Sequence, residues 1–409
     1  MNAHGSNKQE IMTEAIPFKQ LAAQYKTELL ESVLPFWLEK SLDREYGGYF
    51  SCFTRDGKVF DTDKFLWLQG RQVWMFATLY NQVQQKEEWL ECAIHGADFL
   101  KKYGHDGEYN WYFSLNRAGK ALVQPYNIFS YTFAAMAFAQ LSLATGKEEY
   151  AMIARRTLDR ILEKEHNPKA QWNKAVPGTR DLKNFALPMI MSNLALEMEH
   201  LLEREFLEET MERVIRTVME EFYDPESGLI LESIHASGQL SDSFEGRLIN
   251  PGHAIEAMWF IMDLGVRQQR PELIKKANEI GLHMLEYGWD PEYGGIFYFM
   301  DRLEHPPQQL EWDQKLWWVH IESLITTLKG YHLLGNQKNL EWFQRIHQYT
   351  WEKFRDPEYP EWFGYLNRRG EVFLPLKGGK WKGCFHVPRG LYNCWQLLEK
   401  IDARERRSF

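Results

Sequence analysis

The stretch "DREYGGYFSCFTRDGKVFD" (residues 43–61) decides the fold, because the chain repeats its pattern. Each copy has an acidic turn, an alternating run of aromatic and apolar residues, a second turn, and another short run. Alternation between two turns predicts a β-hairpin. The period is roughly 60 residues, longer than that of the common solenoid repeats. Related copies begin at Asp106, Asp224, Asp290 and Asp356, and residues 167–184 form a degenerate further copy.

Amphipathic helices are predicted between these hairpins. Residues 208–224 and 341–356 show apolar residues at helical spacing with Glu and Arg opposite. Each period has room for two helices and a hairpin, and a helical pair of this kind cannot bury its apolar face alone. We therefore predict an all-α fold, an (α/α)6 barrel with short β-hairpins in the loops at one end, where a pocket would form. One further stripe comprises Ile190, Leu194, Met198, Leu201 and Leu202.

The rest of the sequence, its net charge and its cysteines indicate the domain organisation and exclude some classes of partner. We expect a flexible leader over residues 1–14 and a single catalytic barrel domain over residues 15–409. The leader lacks the apolar core of a signal peptide, and no apolar run approaches the roughly 20 residues of a membrane span. A net charge of -9 argues against nucleic acid and against an anionic membrane as partners. The four cysteines lack zinc or disulfide-frame spacing, so reduced thiols and a cytoplasmic location are expected.

Aromatic residues make up 15% of the chain, including 16 Trp, which exceeds the need of a generic core. Two explanations stand side by side. The rings could be platforms for a flat, hydroxylated ligand such as a sugar, or they could be bulky packing between many helices.

The stretch "NPGHAIEAMWF" (residues 250–260) places two titratable side chains at the start of an apolar helix. Asn250 is a good N-cap and Pro251 suits the first helical position. His253 and Glu256 lie three residues apart on one face. The helix end would lower the pKa of the histidine and the glutamate would raise it. The pattern fits a poised base, and it also fits a structural histidine with an acidic neighbour.

The stretch "KLWWVHIESL" (residues 315–324) contains His320 and Glu322. Two residues apart on a helix, they point in different directions, so at most one of them faces a given pocket. A carboxylate in this apolar setting needs a partner, and a histidine from elsewhere would serve. Solvent exposure of Glu322 is the alternative.

His386 lies in "KGGKWKGCFHVPRG" (residues 377–390), where a loop again enters a helix. It occupies in its repeat the place that His253 occupies in the repeat that starts at Asp224. Two histidines at equivalent junctions could approach one axial pocket from different sides. A structural histidine is the alternative here as well.

Arg71 stands in "KFLWLQGRQVWMF" (residues 64–76), a run that is otherwise almost entirely apolar or aromatic. An inward guanidinium would suit developing negative charge on oxygen, and a salt bridge to a structural carboxylate is an equal alternative. The chain has no HExxH, EF-hand, GxGxxG or P-loop motif. We therefore predict neither a metal site nor nicotinamide chemistry.

Taken together and in order, these stretches resemble the N-acylglucosamine 2-epimerase family, called renin-binding protein in animals, and are most similar to its bacterial, cyanobacterial-type members. The resemblance runs from about Phe18 to Ile401. It is carried by "WLQGRQVWMF", "LVQPYNIFS", "FEGRLINPGHAIEAMWFIMD", "HPPQQLEWDQKLWWVH" and "LKGGKWKGCFHVPRG". The family's fold is an (α/α)6 barrel, in agreement with the repeat pattern.

The resemblance implies interconversion of N-acetylglucosamine and N-acetylmannosamine without a redox cofactor. The family's two catalytic histidines fall on His253 and His386, its pocket arginine on Arg71, and its glutamates on Glu256 and Glu322. In the open-chain sugar, one imidazole would remove the C2 proton and the other would return a proton on the opposite face. A carboxylate on the distal nitrogen of each histidine would fix its tautomer.

The matching strings also carry the residues expected to bind substrate and effector. Members of the family are commonly homodimers, and many are activated by ATP that they do not consume. We expect a possible nucleotide site on the basic loop of the degenerate copy, at Lys174, Arg180 and Lys183, although a plain surface loop explains these charges too. The residues expected to contact the sugar are Trp67, Tyr126, Asn127, Trp318 and Trp381.

Three other functions fit the same pattern. A sister epimerase or aldose–ketose isomerase would act on free mannose, glucose or cellobiose. A glycoside hydrolase would need two pocket carboxylates, a role that Glu256 and Glu322 could mimic. A sugar-binding or protease-binding scaffold would bind without turnover.

Overall fold

The structure, a computed structural model, describes residues 16–167, 169, 176, 178–179 and 181–407. All of the predicted leader, residues 1–14, lies outside these residues. A π-helical segment, Glu28–Val33, joins the first two helices. The helices are α1 (Phe18–Thr27), α2 (Leu34–Lys40), α3 (Leu66–Gln82), α4 (Glu87–Tyr103), α5 (Ile128–Thr145), α6 (Glu148–Glu163), α7 (Ala186–Glu197), α8 (Arg204–Arg216), α9 (Phe244–Arg247), α10 (Pro251–Arg267), α11 (Pro271–Gly288), α12 (Trp317–Leu334), α13 (Gln337–Lys353) and α14 (His386–Arg407).

Two concentric layers of helices form the predicted barrel. Along the described chain the inner layer contains six helices, α3, α5, α7, α10, α12 and α14, and consecutive members from α3 to α14 pack side by side. Each inner helix from α3 to α12 packs against the outer helix that follows it in the chain. The last inner helix, α14, has no successor and packs against α1 instead. The N-terminal helix therefore closes the ring.

The inner helices α5 and α12 are buried almost all round, as their apolar sequences require. Every residue of α12 from Trp317 to Tyr331 is buried, and α5 is buried on nearly all faces. By length and composition α5 is also apolar enough to cross a membrane, so the expectation that no such run exists was wrong. Most of this helix, 78% of the 18-residue window, is buried inside the barrel, which explains its composition.

One predicted helical stripe is too long. The stripe from Ile190 to Leu202 was expected to form one helix, but α7 ends at Glu197 and a 3₁₀ turn follows over Glu199–Leu201. Met198 departs from α-helical backbone angles, with φ at -104° and ψ at 3°. The stripe therefore breaks, and Leu202 is only half-buried.

Short strands lie in the loops that lead from each outer helix to the next inner helix. They are β1 (Cys52–Phe53), β2 (Val59–Asp61), β3 (Lys64–Phe65), β4 (Ser114–Leu115), β5 (Ala121–Val123), β6 (Leu182–Asn184), β7 (Tyr223–Asp224), β8 (Leu229–Ile230), β9 (Ser233–His235), β10 (Leu248–Ile249), β11 (Met300–Asp301), β12 (Lys315–Leu316), β13 (Tyr365–Leu366) and β14 (Val372–Leu374). All pairings are antiparallel. The hairpins therefore gather at one end of the barrel, as predicted.

Three copies of the repeat form the complete predicted hairpin, and two do not. The pairs β1 with β2, β4 with β5, and β13 with β14 close within their copies. In the copy at Asp224, β7 pairs with β8, but the second run, β9, pairs with β6 of the preceding copy. In the copy at Asp290, β11 pairs with β10. Pro306 and Pro307 follow there, and without backbone N–H groups they cannot extend a return strand.

Buried ion pairs fasten neighbouring hairpins to each other. An aspartate of one copy accepts from the lysine just before the next inner helix and from an arginine of the next hairpin. In each set the lysine side chain is fully buried. The last set joins the final hairpin to the first one, so it closes the ring at the loop end. The sets are Asp43–Lys64–Arg117, Asp290–Lys315–Arg368 and Asp356–Lys377–Arg55.

Candidate active site

The first half of the site is built around His386, the first residue of α14. Its Nδ1 lies 2.7 Å from Oε1 of Glu322, on α12. A carboxylate can only accept, so Nδ1 carries the proton and Nε2 keeps a free lone pair. Both side chains are buried. The predicted pairing of Glu322 with a histidine from elsewhere in the chain is confirmed.

Two further side chains hold Glu322 in place. Arg389 donates to Oε1 of Glu322 at 2.7 Å and also to Glu256. Trp259 donates its indole N–H to Oε2 of Glu322 at 3.0 Å. Every member of this network is buried. The carboxylate therefore cannot rotate away from His386 without breaking several hydrogen bonds.

The environment of His386 favours the neutral imidazole. Burial pushes its pKa well below the ordinary value, the positive charge of Arg71 lowers it further, and Glu256 opposes both. At neutral pH, His386 is therefore an unprotonated base with Nε2 available.

The second half of the site is built around His253, in the first turn of α10. Asn250 caps this helix as predicted, since its side chain accepts from the His253 backbone N–H at 3.1 Å. The imidazole Nδ1 lies 3.0 and 3.1 Å from the two carboxylate oxygens of Glu232. The Nε2 atom of His253 is again left free.

Glu232 reaches His253 from the loop between β8 and β9. Its backbone carbonyl accepts from the N–H of Phe185, just before α7, at 3.0 Å. Burial alone would lower the pKa of His253, but the charge and hydrogen bond of Glu232 outweigh it, and Glu256 adds to the rise. The net result is a pKa above the ordinary histidine value, in contrast to His386.

Glu256 does not hold His253, although the two lie one helical turn apart. Its side chain is committed to Arg389, so the distal nitrogen of His253 is bound by Glu232 instead. Neither Glu232 nor Arg389 was predicted from the sequence as a site residue. Arg389 had a local signal, because it lies three residues after His386 on the same helix face. Glu232 had none, since only the fold brings its loop to α10.

Trp318 borders both histidines. Its ring centroid lies 5.2 Å from that of His253 and 5.8 Å from that of His386. The separation of the two imidazoles therefore cannot exceed the sum of these distances. His253 also contributes to lowering the pKa of His386. The structure thus brings the two predicted histidines to one space at the loop end of the barrel.

His320 plays a structural part. Its Nδ1 donates to the carbonyl of Leu316 at 2.7 Å, and its Nε2 accepts from the N–H of Ile296 at 3.0 Å. Burial lowers the pKa of His320 to about 3. As expected from their spacing, His320 and Glu322 face different surroundings.

Arg71 supplies a buried positive charge without a salt bridge in the described part of the chain. Its guanidinium carbon lies 4.1 Å from the ring centroid of Phe133, 4.6 Å from Trp67 and 4.7 Å from Phe385. Its Nε has no hydrogen-bond partner. Burial lowers the pKa of Arg71 to about 9, which leaves it charged at neutral pH. Of the two predicted alternatives, the structural salt bridge is not formed.

The other residues expected to contact substrate lie at the same end. Trp67 packs edge-on against Trp381 at 5.4 Å, and its buried indole N–H has no partner. Trp381 is half exposed. Tyr126 packs against the ring of Phe113, just before β4. Asn127 caps α5 with its side-chain oxygen.

The predicted nucleotide loop is only partly described. Lys174 and Arg180 lie outside the described residues. Lys183, on β6, is exposed and pairs with Glu221 at 3.1 Å. The phosphate-binding role of these residues stays a prediction.

Glu256, Glu322 and His386 have the composition of a metal site. Their ligand atoms lie within 4.8 Å of one another. The guanidinium of Arg389, however, already bonds both carboxylates, and Nδ1 of His386 faces Glu322. The donor set therefore fits an arginine cation, and we assign these residues to a hydrogen-bond network.

The chain is similar to known proteins in sequence and in fold. The family profile of N-acylglucosamine 2-epimerase matches residues 48–387. An N-acylglucosamine 2-epimerase of Rattus norvegicus is 38% identical over 92% of this chain and 91% of its own. A cellobiose 2-epimerase of Bacteroides fragilis is 22% identical over 92% of this chain and 98% of its own. The solved cellobiose 2-epimerase from Bacillus thermoamylovorans superposes with a TM-score of 0.80 at 20% identity, covering 93% of this chain and all of that one.

Proposed function

The chain belongs to the N-acylglucosamine 2-epimerase family and is an isomerase, and from this premise we propose that it interconverts N-acetyl-D-glucosamine and N-acetyl-D-mannosamine. The observation that carries the proposal is the pair of imidazoles beside Trp318, each with Nδ1 on a carboxylate and Nε2 free. Inversion at one carbon needs a proton donor and a proton acceptor on opposite faces. Two such histidines meet this need.

In the proposed mechanism, the open-chain aldehyde acidifies the C2 proton of the sugar. Nε2 of the neutral His386 takes this proton, and the electron pair moves onto the carbonyl oxygen to give an enolate. Arg71 stabilises the negative oxygen. The protonated His253 then returns a proton to the opposite face of C2. The reverse reaction starts from the enzyme with the proton on His386.

The pKa values of the two histidines support this division of labour. The pKa of His386 lies well below the ordinary histidine value, whereas the pKa of His253 lies above it. A single enzyme form therefore holds one base and one acid at the same time. No cofactor is needed to supply either proton.

The sequence relatives support the N-acetyl substrate, and the proposal of this substrate does not rest on a particular contact in the site. The rat relative is 38% identical, whereas the cellobiose 2-epimerase of Bacteroides fragilis is 22% identical. Three parallel NMR time courses, one each with N-acetylmannosamine, mannose and cellobiose, test which sugar is the substrate. Turnover of mannose or cellobiose with no turnover of N-acetylmannosamine would reject the N-acyl assignment in favour of the sister epimerases.

A glycoside hydrolase is the weaker candidate. Its general acid must be a carboxyl group able to protonate a leaving group. Glu256 and Glu322 both accept from the Arg389 guanidinium, so both are held as charge partners. Release of reducing sugar from a glycan would overturn this argument. Binding without turnover would instead favour the scaffold function.

The solvent isotope tests the mechanism itself. In D₂O, proton transfer through two histidines incorporates deuterium at C2 of the product. Complete absence of deuterium, from either epimer, would reject the proton-transfer mechanism while leaving the isomerase assignment intact.

The proposed ATP activation and homodimer rest on the family resemblance, and the proposed cytoplasmic location rests on the cysteine pattern. Adding ATP to the same time course tests activation, and its concentration afterwards tests whether it is consumed. Sedimentation tests the dimer, and fractionation of the source cells tests the location.

A further inference from the structure

A polar cavity lies between the inner helices, on the far side of the His386 network from the hairpin loops. Its volume is about 250 Å³. Inner helices line it with residues beyond their first turns, including Thr78 of α3, Asn193 of α7 and Asp263 of α10. Arg389 and Trp259 line it too, so they form a partition between this cavity and Glu322.

Several side chains that line this cavity contain a buried polar atom with no hydrogen-bond partner among the described protein atoms. These atoms are Nε and Nη1 of Arg389, Oδ1 of Asn193 and Oγ1 of Thr78. Each of these side chains is more than nine-tenths buried. An unpaired buried polar group costs about 1–3 kcal/mol. The set includes both donors and acceptors, so a complementary molecule must offer both.

The charges around the cavity disfavour an anion. Arg389 is already matched by Glu256 and Glu322, and a further carboxylate, Glu197, faces the cavity. Glu197 accepts from Trp74 and Gln140 at 2.8 and 2.9 Å. Its surroundings therefore contain no surplus positive charge for a phosphate or a second carboxylate.

The cavity has the composition of a carbohydrate site. Amide, carboxylate, hydroxyl and guanidinium groups alternate with three aromatic rings, those of Trp74, Trp259 and Tyr392. Its volume corresponds to about eight waters at roughly 30 Å³ each, which is below the range of sites for drug-sized ligands. We propose that this cavity binds a neutral, polyhydroxylated molecule of monosaccharide size.

Arg389 and Trp259 lie between this cavity and Glu322, so they link ligand binding in the cavity to the catalytic site. A ligand that accepts from Nε or Nη1 of Arg389 shifts the guanidinium relative to Glu322, the partner of His386. Because coupling is reciprocal, an occupant of either cavity changes the affinity of the other. This step rests on the proposed function, whereas binding in the polar cavity does not.

Calorimetry and crystallography with methyl α-D-mannopyranoside and with D-mannitol test the proposal. Neither probe has a free aldehyde, so neither can be turned over. In wild-type crystals soaked with the mannoside, we expect it beside Arg389 and Asn193, with a matching binding event in solution. The Leu196→Trp variant fills the cavity wall and should lose that event, and Asn193→Leu should weaken it at least tenfold.

Leu143→Trp is the matched control, since Leu143 is exposed in the last turn of α5 and does not line the cavity. Its binding isotherm should equal that of the wild type. Ordered waters alone in the soaked cavity, binding at crystal concentration only, or an unchanged isotherm in Leu196→Trp would overturn the proposal. Each readout is independent of turnover, so a failure of the proposed function would be seen separately.

Discussion

The two halves of the site hold chemically identical imidazoles in opposite electrostatic states. His386 lies in a fully buried network in which Glu322 shares its charge with Arg389, and burial together with the charge of Arg71 keeps the pKa of His386 low. His253 has one unshared carboxylate, Glu232, and its pKa is raised. A histidine–carboxylate pair therefore does not define the protonation state. Burial and the charges that surround each pair define it.

The largest expected effect is the loss of either histidine. Asn cannot transfer a proton, so His386→Asn and His253→Asn should each lower kcat by about 10²- to 10⁴-fold. They should differ in isotope exchange. The His253→Asn variant keeps its neutral base, so it should still wash deuterium into C2 of one epimer without inverting it. His235→Asn, at an exposed position on β9, is the control. Wild-type turnover in either site variant would remove the two-base mechanism.

The next largest effect concerns Arg71, whose positive charge lowers the pKa of His386. Arg71→Met should lower kcat by about 10²- to 10³-fold, since the enolate oxygen loses its positive partner. It should also raise the pKa of His386, because the arginine now lowers it. Steady-state kinetics over pH measures both effects.

Arg345→Met offers a matched control for Arg71→Met. Arg345 also stacks on two tryptophan rings, but it lies exposed on the outer helix α13. If the two variants lost equal activity, aromatic packing rather than charge would explain the role of Arg71.

The two carboxylates should differ in what they stabilise. Glu322→Gln leaves buried Arg389 with one carboxylate, so the free energy of unfolding should fall by about 3 kcal/mol. Turnover should fall roughly 10- to 100-fold through the weakened hold on His386. Glu232→Gln removes a more exposed group and should lower the unfolding free energy by less. Urea titrations of both variants decide this, and equal losses would contradict the asymmetry.

The sequence predicted the parts of this arrangement that local patterns encode. Alternation between turns located the hairpins, and the equivalent loop-to-helix junctions of His253 and His386 indicated a shared pocket. The apolar setting of Glu322 indicated a partner from elsewhere, which is His386.

The features that the sequence could not predict are contacts between loops that only the closed barrel brings together. Glu232 reaches α10 only because its loop is fixed to the chain before α7. The second run after Asp224 pairs with β6, a choice that alternation cannot encode, because any nearby edge strand would satisfy its hydrogen bonds equally well. Glu256 looked like the partner of His253 by spacing, but the buried arginine competes for it.

The smallest effect tests the asymmetry most directly. The active form carries one proton on the two histidines, so kcat/KM falls on the alkaline side when this proton leaves, at the raised pKa of His253. Since the equilibrium constant of epimerisation does not depend on pH, both directions share this limb. Glu232→Gln removes the charge that raises this pKa, so the alkaline limb should move to lower pH.

The acid limb should stay in place, because burial and Arg71 govern the pKa of His386. Stability follows the same sign. A raised pKa in the folded state means that the His253–Glu232 pair stabilises the protein below the ordinary histidine pKa and loses this contribution as pH rises through the raised one. Unfolding titrations across this window should therefore separate wild type from Glu232→Gln at low pH and bring them together at high pH. A shift of the acid limb instead would assign Glu232 to the other half of the site.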